Sequence, residues 1–279
     1  MFNERKFEDD GRRFPGSNDT VFKNLFKDKE ILCSYLKYFT DFDIKPEEVH
    51  EANGETKFSV ESKGIRMDLK FDIFNSLSVD IEFQNEVEDD DSFRRRLIHY
   101  LSLMYSSSFN AGSNYEENKM SVVVVFVNTE DTILKPLMHF KLTDKKNDTS
   151  WDDIQIYIIN IPKFIKGFNE RNKDDIIKLK LLDVLTTNDG SKYKNDELDL
   201  ARKIEEAINI MNKEDALRFE MIKAAAYRTE QRQIGKKEGE KETLERNIKT
   251  MASKGCKSEE IANLLDIDLS LVKEVLEQK

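Results

Sequence analysis

Residues 121–127 read SVVVVFV, and this run constrains the chain more than any other segment. A short, unbroken stretch of β-branched and aromatic side chains has no polar face to turn to water. It is satisfied as a strand covered on both sides, at the centre of a sheet. The chain must therefore supply further strands and two covering layers. Two segments upstream, GIRMDLKFDIF and SVDIEFQNEV, alternate with period two inside 58–87 and are expected to form a hairpin turning near Asn75 and Ser76. Downstream, MHFKLTD (138–144) and IQIYIINIPKF (154–164) read as two more strands, separated by the polar stretch Lys145 to Asp153. The sheet then has five or more strands.

Helices supply the layers. Asp19 to Phe42 carries an apolar stripe at helical spacing with a break near Lys27, Asp91 to Asn110 is a long amphipathic helix ending before a turn at Gly112, and the chain is helical from Asp175 onward. The class is α/β, a mixed central sheet flanked by helices with a C-terminal helical extension. Expected boundaries are a large domain over 1–228, a charged helical or flexible linker over 229–249, and a two-helix tail over 250–279 with Ser258 and Ser270 as N-caps.

Several function classes are disfavoured. No apolar run approaches the roughly 18 residues of a membrane span, and the charged N-terminus has no signal-like apolar core, which predicts a cytoplasmic protein without membrane contact. The two cysteines, Cys33 and Cys256, and three scattered histidines show no zinc spacing. A net charge of −10 means that any nucleic-acid surface must be local.

The chemistry-bearing region is IRMDLKFDIFNSLSVDIEFQNE. Asp68, Lys70 and Asp72 share one face of the first strand, and Asp80, Glu82 and Gln84 share one face of the second. A pairing register with an even residue sum brings the two charged faces together and carries Asp68 toward Glu82 or Gln84; a slip by one residue separates them. Clustered carboxylates repel unless a divalent cation lies between them, and hard oxygen ligands suit Mg2+ or Mn2+, with Ca2+ also compatible. Such an ion would suit hydrolysis of a phosphodiester. The alternative is an exposed hairpin with a solvated acidic face.

The chain resembles the bacterial recombination-promoting nuclease / transposase family of the PD-(D/E)XK superfamily. The resemblance is carried by DTVFKNLF at 19–26, by IRMD followed by IEFQ, by Arg96, Tyr100, Tyr105, Gly112 and Tyr115 ahead of the valine run, by IYIINIPKF, and by GCKSEEIA in the tail. Ser108 and His99 depart from the family pattern. The resemblance implies a restriction-endonuclease-like fold and a metal-dependent DNA endonuclease linked to recombination or mobile elements. It also implies that Asp68 and Glu82 are metal ligands together with the backbone carbonyl of Phe83, and that Gln84 stands where the superfamily has a water-orienting lysine. Lys70 either replaces that missing cation or is a solvated strand lysine. Arg94, Arg95 and Arg96 would meet a phosphate or else form a helix-surface charge run. The competing function is a nuclease fold serving as a DNA- or protein-binding module.

The tail has helix-turn-helix spacing, but its second helix offers only Lys273 to phosphates. Its apolar positions exceed what two short helices can bury between themselves. A partner surface is expected, in the same chain or in a second copy, and self-association is the preferred reading.

Overall fold

The computed structural model describes residues 11–51, 69–73, 76–87, 89–108, 119–167 and 173–277. The first helical segment is two helices, α1 (Asp19–Leu25) and α2 (Lys29–Phe39). The break falls where Asp28 stops propagation and caps α2, its carboxylate accepting from the N–H groups of Glu30 and Ile31; Asn18 caps α1 in the same way. A sheet follows, with strands β1 (Val49–Glu51), β2 (Leu69–Ile73), β3 (Leu77–Gln84), β4 (Met120–Val127), β5 (Leu137–Asp144) and β6 (Thr149–Asn160). Their spatial order is β1-β2-β3-β4-β6-β5, with the β3–β4 and β4–β6 pairs parallel and the other three pairs antiparallel. Helix α3 (Asp90–Ser107) makes the crossover from β3 to β4 that a parallel pair requires.

The valine strand is central, and Val122 to Val127 are buried. On one sheet face Phe126 meets the rings of Phe22, Phe26, Tyr35 and Phe39 at 5.7–6.2 Å between centroids. The Tyr35 hydroxyl donates to the Leu181 carbonyl at 2.7 Å, tying α2 to α5 (Lys173–Thr186). On the other face Phe93, Leu97, Leu101 and Met104 of α3 pack on Val123, Val125, Val127, Ile156 and Ile158.

Two boundaries differ from expectation. The strand read as 154–164 ends at Asn160, where the Asn160 side chain accepts from Lys163 N at 3.0 Å and Pro162 sits in the first turn of α4 (Ile161–Lys166). Of the polar stretch 145–153 only 145–148 separates the strands, as a turn, because β6 begins at Thr149 and pairs with β5 as far as Asp144↔Thr149. The alternation there is polar because this ribbon projects past the covering layers, leaving Trp151 exposed. Residues 58–68, Asn75, Gly112 and Tyr115 lie outside the described residues.

The remaining helices are α6 (Asp199–Met211), α7 (Asp215–Ser253), α8 (Ser258–Leu265) and α9 (Leu269–Glu277). The described residues form two compact units that divide between Met221 and Ile222. Segment 229–249, expected as a charged linker, is continuous helix within α7. In the C-terminal unit Ile248 of α7 is buried with Ile261, Ala262, Val272 and Val275, and Leu244 and Met251 pack around them. Much of the apolar excess of the tail is thus covered by its own chain. The N-caps also differ: Asp268 rather than Ser270 caps α9, accepting Ser270 N at 2.7 Å, and Ser258 is the first residue of α8, where the Lys257 N–H donates to Glu260 at 2.9 Å. Among the described residues no helix is long and apolar enough to cross a membrane.

Candidate active site

The β2–β3 register pairs Leu69↔Ile81, Lys70↔Asp80, Phe71↔Val79 and Asp72↔Ser78. The residue sum is even, so Lys70 and Asp72 share one face with Ser78, Asp80, Glu82 and Gln84, while Leu69, Phe71, Val79, Ile81 and Phe83 face the aromatic layer. Phe83 packs against Phe22 at 5.1 Å. Asp68 precedes the described part of β2 and lies outside the described residues.

The charged face is not a solvated one. Asp80 is fully buried and Glu82 is only 2% exposed, and Ser78 and Ser121, neighbours in the parallel β3–β4 register, are buried with them. Burial follows from position: β3 is an inner strand between β2 and β4, and α3 packs on the same sheet face one strand away, over Val123 and Val125, which are in register with Asp80 and Glu82. Carboxylates placed this deep carry a large desolvation cost that a compensating charge must offset.

Two parts of this face have resolved partners. Asp72 Oδ1 accepts from the Ser78 hydroxyl at 2.5 Å, and its Oδ2 pairs with Lys119 Nζ at 3.0 Å. Burial raises the Asp72 pKa, but the Ser78 hydroxyl, the Lys119 ammonium and the nearby Lys70 outweigh it and hold the carboxyl below its ordinary value. Further along, Gln84 Nε2 donates to Glu82 Oε2 at 3.1 Å. The end of the strand is anchored: Gln84 O accepts from Asn128 N at 2.8 Å, Asn128 Nδ2 donates to Asn85 Oδ1 at 3.2 Å, and Asn85 Nδ2 donates to Ser17 O at 2.9 Å.

The structure thus brings Lys70, Asp72, Asp80, Glu82 and Gln84 to one face, and adds Ser78, Ser121 and Lys119. Lys119 was not singled out from sequence, where it is one of many lysines before a strand; it reaches Asp72 because β4 lies parallel to β3 with Leu77 opposite Met120. Arg94, Arg95 and Arg96 are exposed on α3, on the sheet side that carries the carboxylates. Arg94 is paired with Asp91 at 2.9 Å, and Arg96 lies over the Phe93 ring at 5.6 Å. Tyr100 is half-buried against the α3 core cluster, as expected for a packing residue, and His99 is exposed.

Among the described residues no three His, Cys, Asp or Glu side chains form a ready metal cluster. The donors that are described, carboxylate oxygens of Asp80 and Glu82 and the amide of Gln84, are hard ligands of the kind a divalent oxygen-seeking ion takes.

Compared with protein-family models, residues 16–237 match the PD-(D/E)XK nuclease family transposase. The match takes in the hairpin, α3 and the central strand. No curated protein and no solved structure matches the chain.

Proposed function

The chain belongs to the PD-(D/E)XK nuclease family transposases, and from that membership we propose that it is a divalent-metal-dependent endonuclease that hydrolyses DNA phosphodiester bonds in recombination or mobile-element processes. The observation that carries this reading is the even β2–β3 register, which gathers Lys70, Asp80, Glu82 and Gln84 on one face, with Asp80 and Glu82 buried. Asp68, Glu82 and the Phe83 carbonyl are the proposed ligands of Mg2+, with Mn2+ or Ca2+ as substitutes. Such an ion, when bound, supplies Lewis acidity and a water of lowered pKa. The Gln84 amide, held by its bond to Glu82, would orient an attacking water. Lys70 adds positive charge across the hairpin, and Arg94, Arg95 and Arg96 hold flanking phosphates on the same sheet side. Cytoplasmic location and self-association through the tail belong to the same proposal, the latter resting on Leu264 and Leu276, which stay 68% and 37% exposed.

The test is relaxation or linearisation of supercoiled plasmid with and without Mg2+. Cleavage that requires Mg2+ and disappears in Glu82→Gln is expected. A second reading, a DNA- or protein-binding module, is favoured by the near-complete burial of Glu82 and by an amide where a lysine would add charge. Retained DNA binding with no cleavage under any divalent ion would select it and refute the enzyme.

A further inference from the structure

On the sheet face away from Glu82, His139 of β5, Gln155 and Tyr157 of β6, and Asp41, just past α2, form a polar cluster. It borders a cavity of about 230 Å3 that Lys178 and Thr40 also line. The hydrogen bonds place one hydrogen of the imidazole. Gln155 Nε2 donates to the Asp152 carbonyl at 3.1 Å, which turns Gln155 Oε1 toward His139 Nε2 at 2.7 Å. An amide oxygen only accepts, so Nε2 carries the hydrogen. Nδ1, the ring's other nitrogen, lies 3.6 Å from Asp41 Oδ2. That separation is too long for a direct hydrogen bond and is wide enough for an ion to lie between the two atoms.

Two ligands about 2.0–2.2 Å from one ion span 3.6 Å at an angle of about 120°, close to that of a tetrahedral site. Tyr157 contacts both ligands, and its hydroxyl is also 3.0 Å from Gln155 Oε1. The Tyr157 ring stacks on His139 at 4.1 Å, and its hydroxyl lies 3.1 Å from Asp41 Oδ2. Burial, followed by the Asp41 carboxylate, pushes the Tyr157 pKa up, so the phenol remains a hydrogen-bond donor. An imidazole whose far nitrogen donates to a fixed carbonyl oxygen is the usual arrangement of a metal-ligating histidine.

We propose that His139 Nδ1 and Asp41 Oδ2 chelate a borderline divalent cation, Zn2+ or Ni2+, at a site separate from the nuclease face. Gln155 and Tyr157 are its positioning residues. Imidazole in the ligand set selects against Mg2+ and for these ions. Two protein ligands leave the remaining coordination positions open to the cavity, where water or an anionic co-ligand beside Lys178 completes the shell.

The test is Zn2+ titration of the full chain carrying Glu82→Gln, followed by calorimetry and by long-range proton–nitrogen NMR of the histidine rings. The expected result is an Nε2–H tautomer at His139 in the metal-free protein, a Zn2+-dependent shift confined to its Nδ1, and affinity lowered at least tenfold by His139→Gln and by Asp41→Asn separately. Gln155→Leu should lower affinity less while allowing the other tautomer to appear. A proton on Nδ1 at mildly alkaline pH would overturn the proposal, assigning the gap to an imidazolium–Asp41 ion pair. So would Zn2+ affinity within twofold of the parent in folded His139→Gln.

Discussion

Phe126→Ala tests whether the central strand holds the active-site strand in place. Phe126 is fully buried, with four aromatic rings within 5.7–6.2 Å of its own, and it stands in register with Phe83, between Glu82 and Gln84 in sequence. Truncating a buried Phe removes its transfer free energy and leaves a cavity, together costing about 3–5 kcal/mol. The ring contacts add about 0.5–1.5 kcal/mol per well-oriented pair, and four partners place the expected loss near the top of that range. In a domain of this size each kcal/mol shifts the midpoint by about 2–4 °C, so the melting temperature should fall by about 10–15 °C. Phe126→Leu keeps most of the volume and should cost about 1.5 kcal/mol. The assay is thermal and urea unfolding followed by near-ultraviolet circular dichroism, which reports this aromatic layer. Plasmid cleavage per folded molecule should fall in the Ala variant alone, because a cavity under β4 lets β3 relax. A loss below about 1.5 kcal/mol for Ala, or equal losses for Ala and Leu, would refute the packing argument.

Because the Asp72 pKa is depressed, the stability it contributes is present above the ordinary carboxylate value of about 3.9 and is lost as pH falls through the lower folded value. Lys119→Met should lower stability at neutral pH and flatten the acid limb, so that the two proteins converge in acid-unfolding curves; parallel curves would remove Lys119 from the account. Ile248→Ala should cost the C-terminal unit about 2–5 kcal/mol, read as lost hydrogen-exchange protection in α8 and α9 with the sheet unaffected. Unchanged protection there would show that α7 does not cover the tail.

Alternation and apolar runs in the sequence determined which residues share a strand face and that Ser121–Val127 lies in the middle. Both are local properties, since side-chain direction repeats every two residues whatever the neighbours are. The break at Lys27 was legible because it too is local: Asp28 caps a helix by accepting from the N–H groups two and three residues on, those of Glu30 and Ile31. Pairing parity was not legible. Whether Lys70 faces Asp80 or lies on the far side of the sheet depends on the turn, and the sequence allowed either. Burial of the carboxylates was equally hidden, because Asp80 and Glu82 leave solvent only when β4 lies beside them and α3 covers that side of the sheet. Lys119 reaches Asp72 across more than forty residues of chain through the parallel register alone. In the tail, the surplus of apolar positions was visible, but not that Ile248 of α7 would meet it. Composition along one helix states a need for a partner, and only packing between distant segments selects which surface fills it.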